Sequence, residues 1–365
     1  MAAVQSLVDE LETAIASSDI GRRALILRRV ADLFVSTSAN MSDQRTALFD
    51  DVMHQLIDEI ESSARADFAE YLARAPVAPP RILRELALDD VIDVARPVLS
   101  HAEQLDEATL AEGARSKSQA HLLAISTRKT IPESVTDILV ERGNREVALS
   151  TAGNPGASFS EFGYSSLVQR SEGDDDLAAC TWSRTGIPRP CLLKLFVNAS
   201  DALKRRLAQQ DPRKAAVIAD VVARAAGHLQ AQAREASADF ARSRAVVQSL
   251  SEAGKLDEAA LFDFANAGKF DETVVAFAKI CDLPVGLVER ALVEERSEQL
   301  LVLAKACGLS WKTTKAILLV QGRAERSTAD LDRLFEIFLR LKSQTARTAV
   351  KFYRLRERSL APRAN

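Results

Sequence analysis

The stretch Ile125-Ser126-Thr127-Arg128-Lys129-Thr130-Ile131-Pro132 returns 56 residues later as Thr181-Trp182-Ser183-Arg184-Thr185-Gly186-Ile187-Pro188. In the same register Val135 falls on Cys191, Leu139 on Leu195, Val140 on Phe196 and Val147 on Leu203. Proline is tolerated in a first helical turn, so Pro132 and Pro188 each mark a helix start. Start and stop signals around them define helices of roughly 8 to 12 residues. Such short helices cannot bury their apolar faces alone, so neighbouring copies must stack. This predicts an α-solenoid of HEAT-like short-helix repeats over residues 77–210.

Upstream, Val4, Leu7, Val8, Leu11 and Ile15 recur at helical spacing, as do Leu25, Leu27, Val30, Ala31 and Phe34. Ser42-Asp43 precedes a third apolar-periodic run, Leu48, Val52, Leu56, Ile57 and Ile60. Three prolines within Pro76-Val77-Ala78-Pro79-Pro80 cannot continue a helix. They end an N-terminal helical bundle, residues 1–76. Downstream of Asp211-Pro212 lies a C-terminal helical domain, 211–365. It opens with an alanine-rich helix expected to run to about 250, with Val217, Val221, Ala225 and Leu229 on one face. A second repeat, of period 26, matches Ala278-Lys279-Ile280-Cys281-Asp282-Leu283 with Ala304-Lys305-Ala306-Cys307-Gly308-Leu309. It reads as helix, tight turn, helix, used twice. A long final helix from about 328 to 358 carries Leu331, Leu334, Phe335, Phe338 and Leu341. No region alternates with the period of a strand, so the fold class is all-α.

Over 365 residues, 47% hydrophobic content excludes a disordered chain, while 5% aromatic content leaves Ala, Leu and Val to build the core. A net charge of −3 and a pI near 6.0 argue against a general nucleic-acid binder. The apolar runs are too short to span a bilayer, and the acidic start, Asp9-Glu10-Leu11-Glu12, does not read as a signal peptide. Four cysteines suit a reducing compartment, and a cytoplasmic location is expected.

The run Ser116–Asn154, SKSQAHLLAISTRKTIPESVTDILVERGNREVALSTAGN, resembles an uncharacterised bacterial family, domain of unknown function twenty-three thirty-six. Gly268–Glu294, GKFDETVVAFAKICDLPVGLVERALVE, adds a second match. The family's middle section is similar to HEAT-like and leucine-rich-variant repeats, with an arginine and an asparagine at fixed places, here Arg128 and Asn154. The resemblance, over roughly residues 5 to 320, implies the helical fold and brings no activity, cofactor or active site. Arg184 keeps the pattern. Gln209 and Gln210 stand where the next asparagine would fall, which suggests a capping unit.

Chemistry-bearing constellations are few. Cys180, Cys191, Cys281 and Cys307 lack metal-ligand spacing and read as small buried residues. Asp51, His54 and Asp58 sit on one helical face but have no second copy to complete a di-metal site. Gly153-Asn154-Pro155-Gly156 lacks a phosphate loop's spacing and lysine, and reads as a helix-ending turn. Asp174-Asp175-Asp176 reads as a solvated loop and helix start. No catalytic residue, metal or cofactor is expected. Basic groups remain. Arg22, Arg23, Arg28 and Arg29 cluster on two turns of one helix, where they would grip a phosphate or an acidic partner. Arg128 and Arg184 would either clamp an anion or bond carbonyls of the adjacent repeat. The C-terminal helix carries Lys351, Arg354, Arg356 and Arg358 as a basic docking tail. These features predict a non-enzymatic protein-interaction or scaffold protein with a protein partner. A homodimer through the C-terminal helix is a further expectation. The alternative is a sensor of a small anionic ligand such as a nucleotide messenger.

Overall fold

The computed structural model describes residues 20–37, 43–57, 60–210, 215–293, 297–320 and 328–360. Regular structure among the described residues is helical, apart from one isolated parallel bridge between Ile131 and Ala157. The chain divides into two compact units, 1–187 and 188–365. The boundaries expected at 76 and 210 fall inside these units.

In the first unit the helices are α1 (Ile20–Thr37), α2 (Asp43–Ile57), α3 (Ser62–Ala73), α4 (Pro80–Ala87), α5 (Ile92–His101) and α6 (Glu107–Ser116). They continue with α7 (Gln119–Ser126), α8 (Glu133–Arg142), α9 (Arg145–Gly153), α10 (Glu161–Arg170) and α11 (Asp175–Trp182). Side-chain caps explain several of the starts. Asp106, Asn144, Ser160 and Asp174 each accept an N–H from the first turn of the helix that follows. Helices of odd and even number form two rows. In one, α1 packs on α3, α3 on α5, α5 on α7, α7 on α9 and α9 on α11; in the other, α2 packs on α4, α4 on α6, α6 on α8 and α8 on α10. Between the rows lies a core that includes Leu83, Leu99, Leu122, Leu139, Val147 and Leu167. On α1 the buried set is Ile26, Leu27, Val30, Ala31 and Phe34, whereas Leu25, expected with them, is exposed.

The second unit comprises α12 (Arg189–Gln210), α13 (Ala215–Ala236), α14 (Ala238–Glu252), α15 (Glu258–Asn266) and α16 (Phe270–Ile280). It ends with α17 (Val285–Val293), α18 (Ser297–Cys307), α19 (Trp311–Leu319), α20 (Thr328–Arg340) and α21 (Ser343–Leu360). The alanine-rich helix expected to reach 250 is two helices, because Ser237 caps α14 by accepting the Phe240 N–H. The final helix is also two, broken at Leu341-Lys342. Its apolar stripe is partly covered within the chain: Phe338 is buried, and Leu331, Leu334, Phe335 and Leu341 are half-buried. Ala346 and Val350 of α21 are buried where α21 packs on α18, and Phe335 and Phe338 stack on Trp311 with centroids 5.1 and 5.5 Å away. The 26-residue repeat is α16–α17 followed by α18–α19. Each first helix ends on a left-handed residue, Asp282 (φ 49°) or Gly308 (φ 77°). Leu283 and Leu309 then donate back to the carbonyls of Ala278 and Ala304, which satisfies groups a helix end leaves orphaned.

The 56-residue echo fails at one identifiable place. In the first copy α8 ends at Arg142, and the chain turns through Gly143-Asn144 into α9. A Cβ on Gly143 would run into the Leu139 carbonyl and meet Val147 at 2.5–2.7 Å. In the second copy Ala199-Ser200 stand at those positions, and α12 continues through them as one 22-residue helix. Leu195 keeps the burial of Leu139, but Leu203 is exposed where Val147 is buried. We expect Gly143→Ala to lower the stability of the folded chain by about 1–3 kcal/mol, since backbone must shift to admit the methyl. Urea unfolding followed by circular dichroism reads the change.

Candidate functional site

The arginines singled out from the repeat turn inward. Arg128 is buried; its Nη1 donates to the carbonyls of Leu99 (2.6 Å) and Val98 (3.4 Å), and its Nη2 to that of Ala102 (2.7 Å). All three carbonyls lie at the C-terminal end of α5. Arg184 does the same one hairpin pair later. Its Nη1 donates to Ala152 O (2.9 Å) and Asn154 O (2.8 Å), its Nη2 to Ala157 O, and its guanidinium lies over the Phe159 ring at 4.4 Å. Between them Asn154 Nδ2 donates to the carbonyls of Ser126 (2.8 Å) and Arg128 (2.7 Å). Ile131 and Ser158 pair their loops through the bridge, with Ile131 N donating to Gly156 O and Ser158 N to Ile131 O.

A second line runs along the opposite helix ends, and the sequence reading missed it. Arg142 donates to Ala114 O, and Arg170 to Val140 O and to Gly143 O (2.8 Å). Arg142 and Arg170 are 28 residues apart, half of the 56-residue echo, so the structural repeat is one hairpin rather than two. Burial pushes Arg128 and Arg170 below the usual arginine value, though a guanidinium remains charged at any physiological pH. Of the two roles their recurrence allows, anion clamp or bond to the adjacent repeat's carbonyls, Arg128 and Arg184 take the second.

On α1, Arg28 and Arg29 are exposed, and Arg28 lies over the Tyr71 ring at 5.0 Å. Tyr71 in turn donates to Asp32, which pushes its hydroxyl pKa up. Lys351 is exposed on α21. The side chains of Arg22, Arg23, Arg354, Arg356 and Arg358 lie outside the described residues.

The first unit contains a cleft of about 400 Å³, lined by Ile57, Arg65, Glu85, Leu86, Asp89 and Asp90 among others. Each of its carboxylates has a partner: Glu85 meets His54 Nδ1 at 2.6 Å, Asp89 meets Arg65 Nε at 3.0 Å, and Asp90 meets Lys117. Lys117 holds Asp90 below the usual carboxylate range. His121 Nε2 lies 3.0 Å from the Asp89 carbonyl and Nδ1 lies 2.8 Å from Ser118 Oγ. A carbonyl only accepts, so Nε2 donates to it. His54 therefore bonds to an acid on α4, while Asp51 pairs with Arg81; Asp58 lies outside the described residues. Asp50 accepts the N–H groups of Arg81 and Ile82 at the start of α4, and burial pushes its pKa up against their pull.

A charged quartet in the second unit, with Glu289 buried and the other three half-buried, had no sequence signature, because its members are spread over a hundred residues. Arg189 at the start of α12 pairs with Asp271 of α16 and with Glu289 of α17. Arg234 of α13 reaches the other Glu289 oxygen at 2.8 Å, and Arg189 lies over the Phe240 ring at 4.7 Å. Glu289 is 1% exposed. Two cations and two anions balance, as burial requires. Burial pushes Asp271 up and both arginines down, with Arg189 opposing the shift of Asp271. Among the described residues no group of three or more His, Cys, Asp or Glu could hold a metal ion. The four cysteines, expected to be buried, are half-buried. The Asp174 triplet caps α11 and pairs with Arg145.

Charge is divided unevenly between the units. Residues 1–187 hold 18 Lys and Arg against 30 Asp and Glu, a net of −12; residues 188–365 hold 30 against 21, a net of +9. The overall −3 conceals this polarity.

Two outcomes test these assignments. Arg128→Met should cost about 3 kcal/mol of stability, since it strands buried carbonyls, and Arg128→Lys should recover less than half; urea unfolding measures both. Asp106 is held below the usual range by the Thr109 N–H at the start of α6. Its cap therefore stabilises fully above pH about 4 and fades as pH falls through the lowered folded pKa. We expect Asp106→Ala to cost about 1 kcal/mol at pH 7, with the gap from the parent narrowing as pH falls through the lowered folded-state pKa of Asp106; urea unfolding at a series of pH values reads it.

Residues 94–351 match a family described as an uncharacterised protein conserved in bacteria (DUF2336). No curated protein and no solved structure matches the chain. The family match takes in the helical hairpins from α5 onward, the arginine line and most of the second unit, and on that span the chain belongs to this bacterial family.

Proposed function

We propose that this chain is a non-enzymatic interaction protein that holds at least one protein partner against its basic half. The charge polarity supports the reading: a +9 unit and a −12 unit in one chain favour different, oppositely charged surfaces. Stacked hairpins of HEAT-like type present a broad surface suited to gripping another protein. Arg128 and Arg184 donate to carbonyls, which leaves the ligand-sensor alternative the cluster Arg22, Arg23, Arg28 and Arg29. No helix among the described residues is long and apolar enough to cross a membrane. Sparse cysteine usage, four in 365 residues, supports a cytoplasmic location.

Purification of the tagged protein from its bacterial host should recover one or a few stoichiometric partners that salt releases, because exposed charges are screened. Reversal of the exposed Lys342 and Lys351 to glutamate should deplete those partners. Recovery of the protein alone at low salt, with a melting temperature that rises when nucleotides are added, would replace this reading with the sensor.

A further inference from the structure

Helices α12 and α13, of 22 residues or about 33 Å each, pack chiefly on each other. Beyond that, α12 meets α17, and α13 meets α17 and α14. Few apolar side chains hold the pair to the rest of the second unit. Among the described residues of the two helices, Leu193 alone belongs to the unit's hydrophobic core, with Val197 at its edge. Leu195 and Val222 are buried outside that core, and Leu203 of α12 and the outward ridge Val217, Val221 and Leu229 of α13 are exposed. Ion pairs hold the pair instead. Arg189 opens α12, Arg234 stands in the last turn of α13, and both bond one carboxylate, Glu289 of α17. The two ends of the hairpin therefore meet at a single buried acid. At the α13–α17 contact Arg234 stands beside Gly286 and Arg290 beside Gly227. A segment with few buried apolar contacts opens more readily than the core it leans on.

We propose that α12 and α13 form an arm that opens from the rest of the second unit as one piece, with Glu289 as its latch. Ser237, the single extended residue between α13 and α14, is the pivot. The chemistry of the latch suits reversible opening. When whole ion pairs separate, water solvates both partners and offsets much of the lost attraction; when one partner alone is neutralised, the other stays buried without compensation. Opening parts Arg189 from Asp271 and Glu289 and lifts its guanidinium off the Phe240 ring. An aromatic face and two carboxylates on the core then become accessible. The arm does not rest on the protein partner proposed above.

Hydrogen exchange of the full chain, followed by mass spectrometry, tests it. Amides of α12 and α13 should exchange together, and faster than those of α16. Glu289→Gln keeps the shape of the side chain but leaves two arginines facing a neutral group. In that variant exchange across α12 and α13 should quicken about tenfold or more, while α18 and α19 keep the parent's rate. Protection of α12 and α13 equal to that of α16 would overturn the proposal, as would exchange of one helix without the other. A Glu289→Gln chain that exchanges like the parent would also overturn it. So would equal acceleration in α18 and α19, which makes the quartet part of the global fold. Should Glu289→Gln unfold the unit, Arg234→Gln, which leaves Arg189 on Glu289, is judged by the same outcomes.

Discussion

The first unit depends on guanidinium groups that reach back one hairpin to close the helix ends before them. The last turn of a helix leaves carbonyls without partners and carries partial negative charge. In a stack of short helices these ends recur every few residues and are partly buried, so water cannot serve them all. A planar fork with five N–H donors can bond several converging carbonyls at once; Arg128, Arg170 and Arg184 do so, and Arg142 bonds the Ala114 carbonyl. Asn154 occupies the intervening place on one line with a shorter reach, which is why its loop comes close enough to pair with the loop of Ile131. Gly156 permits that approach, since a Cβ there would run into the Lys129 carbonyl.

The helical fold was legible because apolar spacing and capping residues are local. Arg128 and Arg184 announced themselves by recurring, and bonding to neighbouring carbonyls was one of the two roles their position allowed. The true period was not legible. Alternate hairpins carry Arg and Asn at that place, so identity recurs only after two units although geometry recurs after one. The end of the array turned on a single substitution: Gly143 lets the chain reverse, and Ala199 lets the helix run on. The quartet of Arg189, Arg234, Asp271 and Glu289 could not be read at all, since only tertiary packing brings four helices' charges together.

The outward ridge of α13 shows a different limit. Amphipathic spacing identified Val217, Val221, Ala225 and Leu229 as one face but not which face the fold would cover. On α13 the inward positions include the polar Gln230, and Arg234 is drawn in by Glu289. Satisfying those buried groups fixes the rotation of the helix. A buried carboxylate without its cations would cost several kcal/mol, more than leaving two valines and a leucine half in water. Electrostatics inside the unit therefore decides which apolar surface is left for others.

The same reasoning bears on how the first unit unfolds. Each arginine belongs to one hairpin but completes the helix ends of the hairpin before it. Loss of a hairpin thus removes its own packing and also strands carbonyls on its predecessor, a coupling that adds to the apolar contacts between neighbours. Repeats that stacked only through aliphatic side chains could fray from an end one at a time. With charged donors crossing successive interfaces, partial unfolding leaves unsatisfied buried groups at the new boundary, and intermediate states are penalised relative to both the folded and the fully unfolded chain. The arginine lines therefore set the cooperativity of the array as well as its geometry.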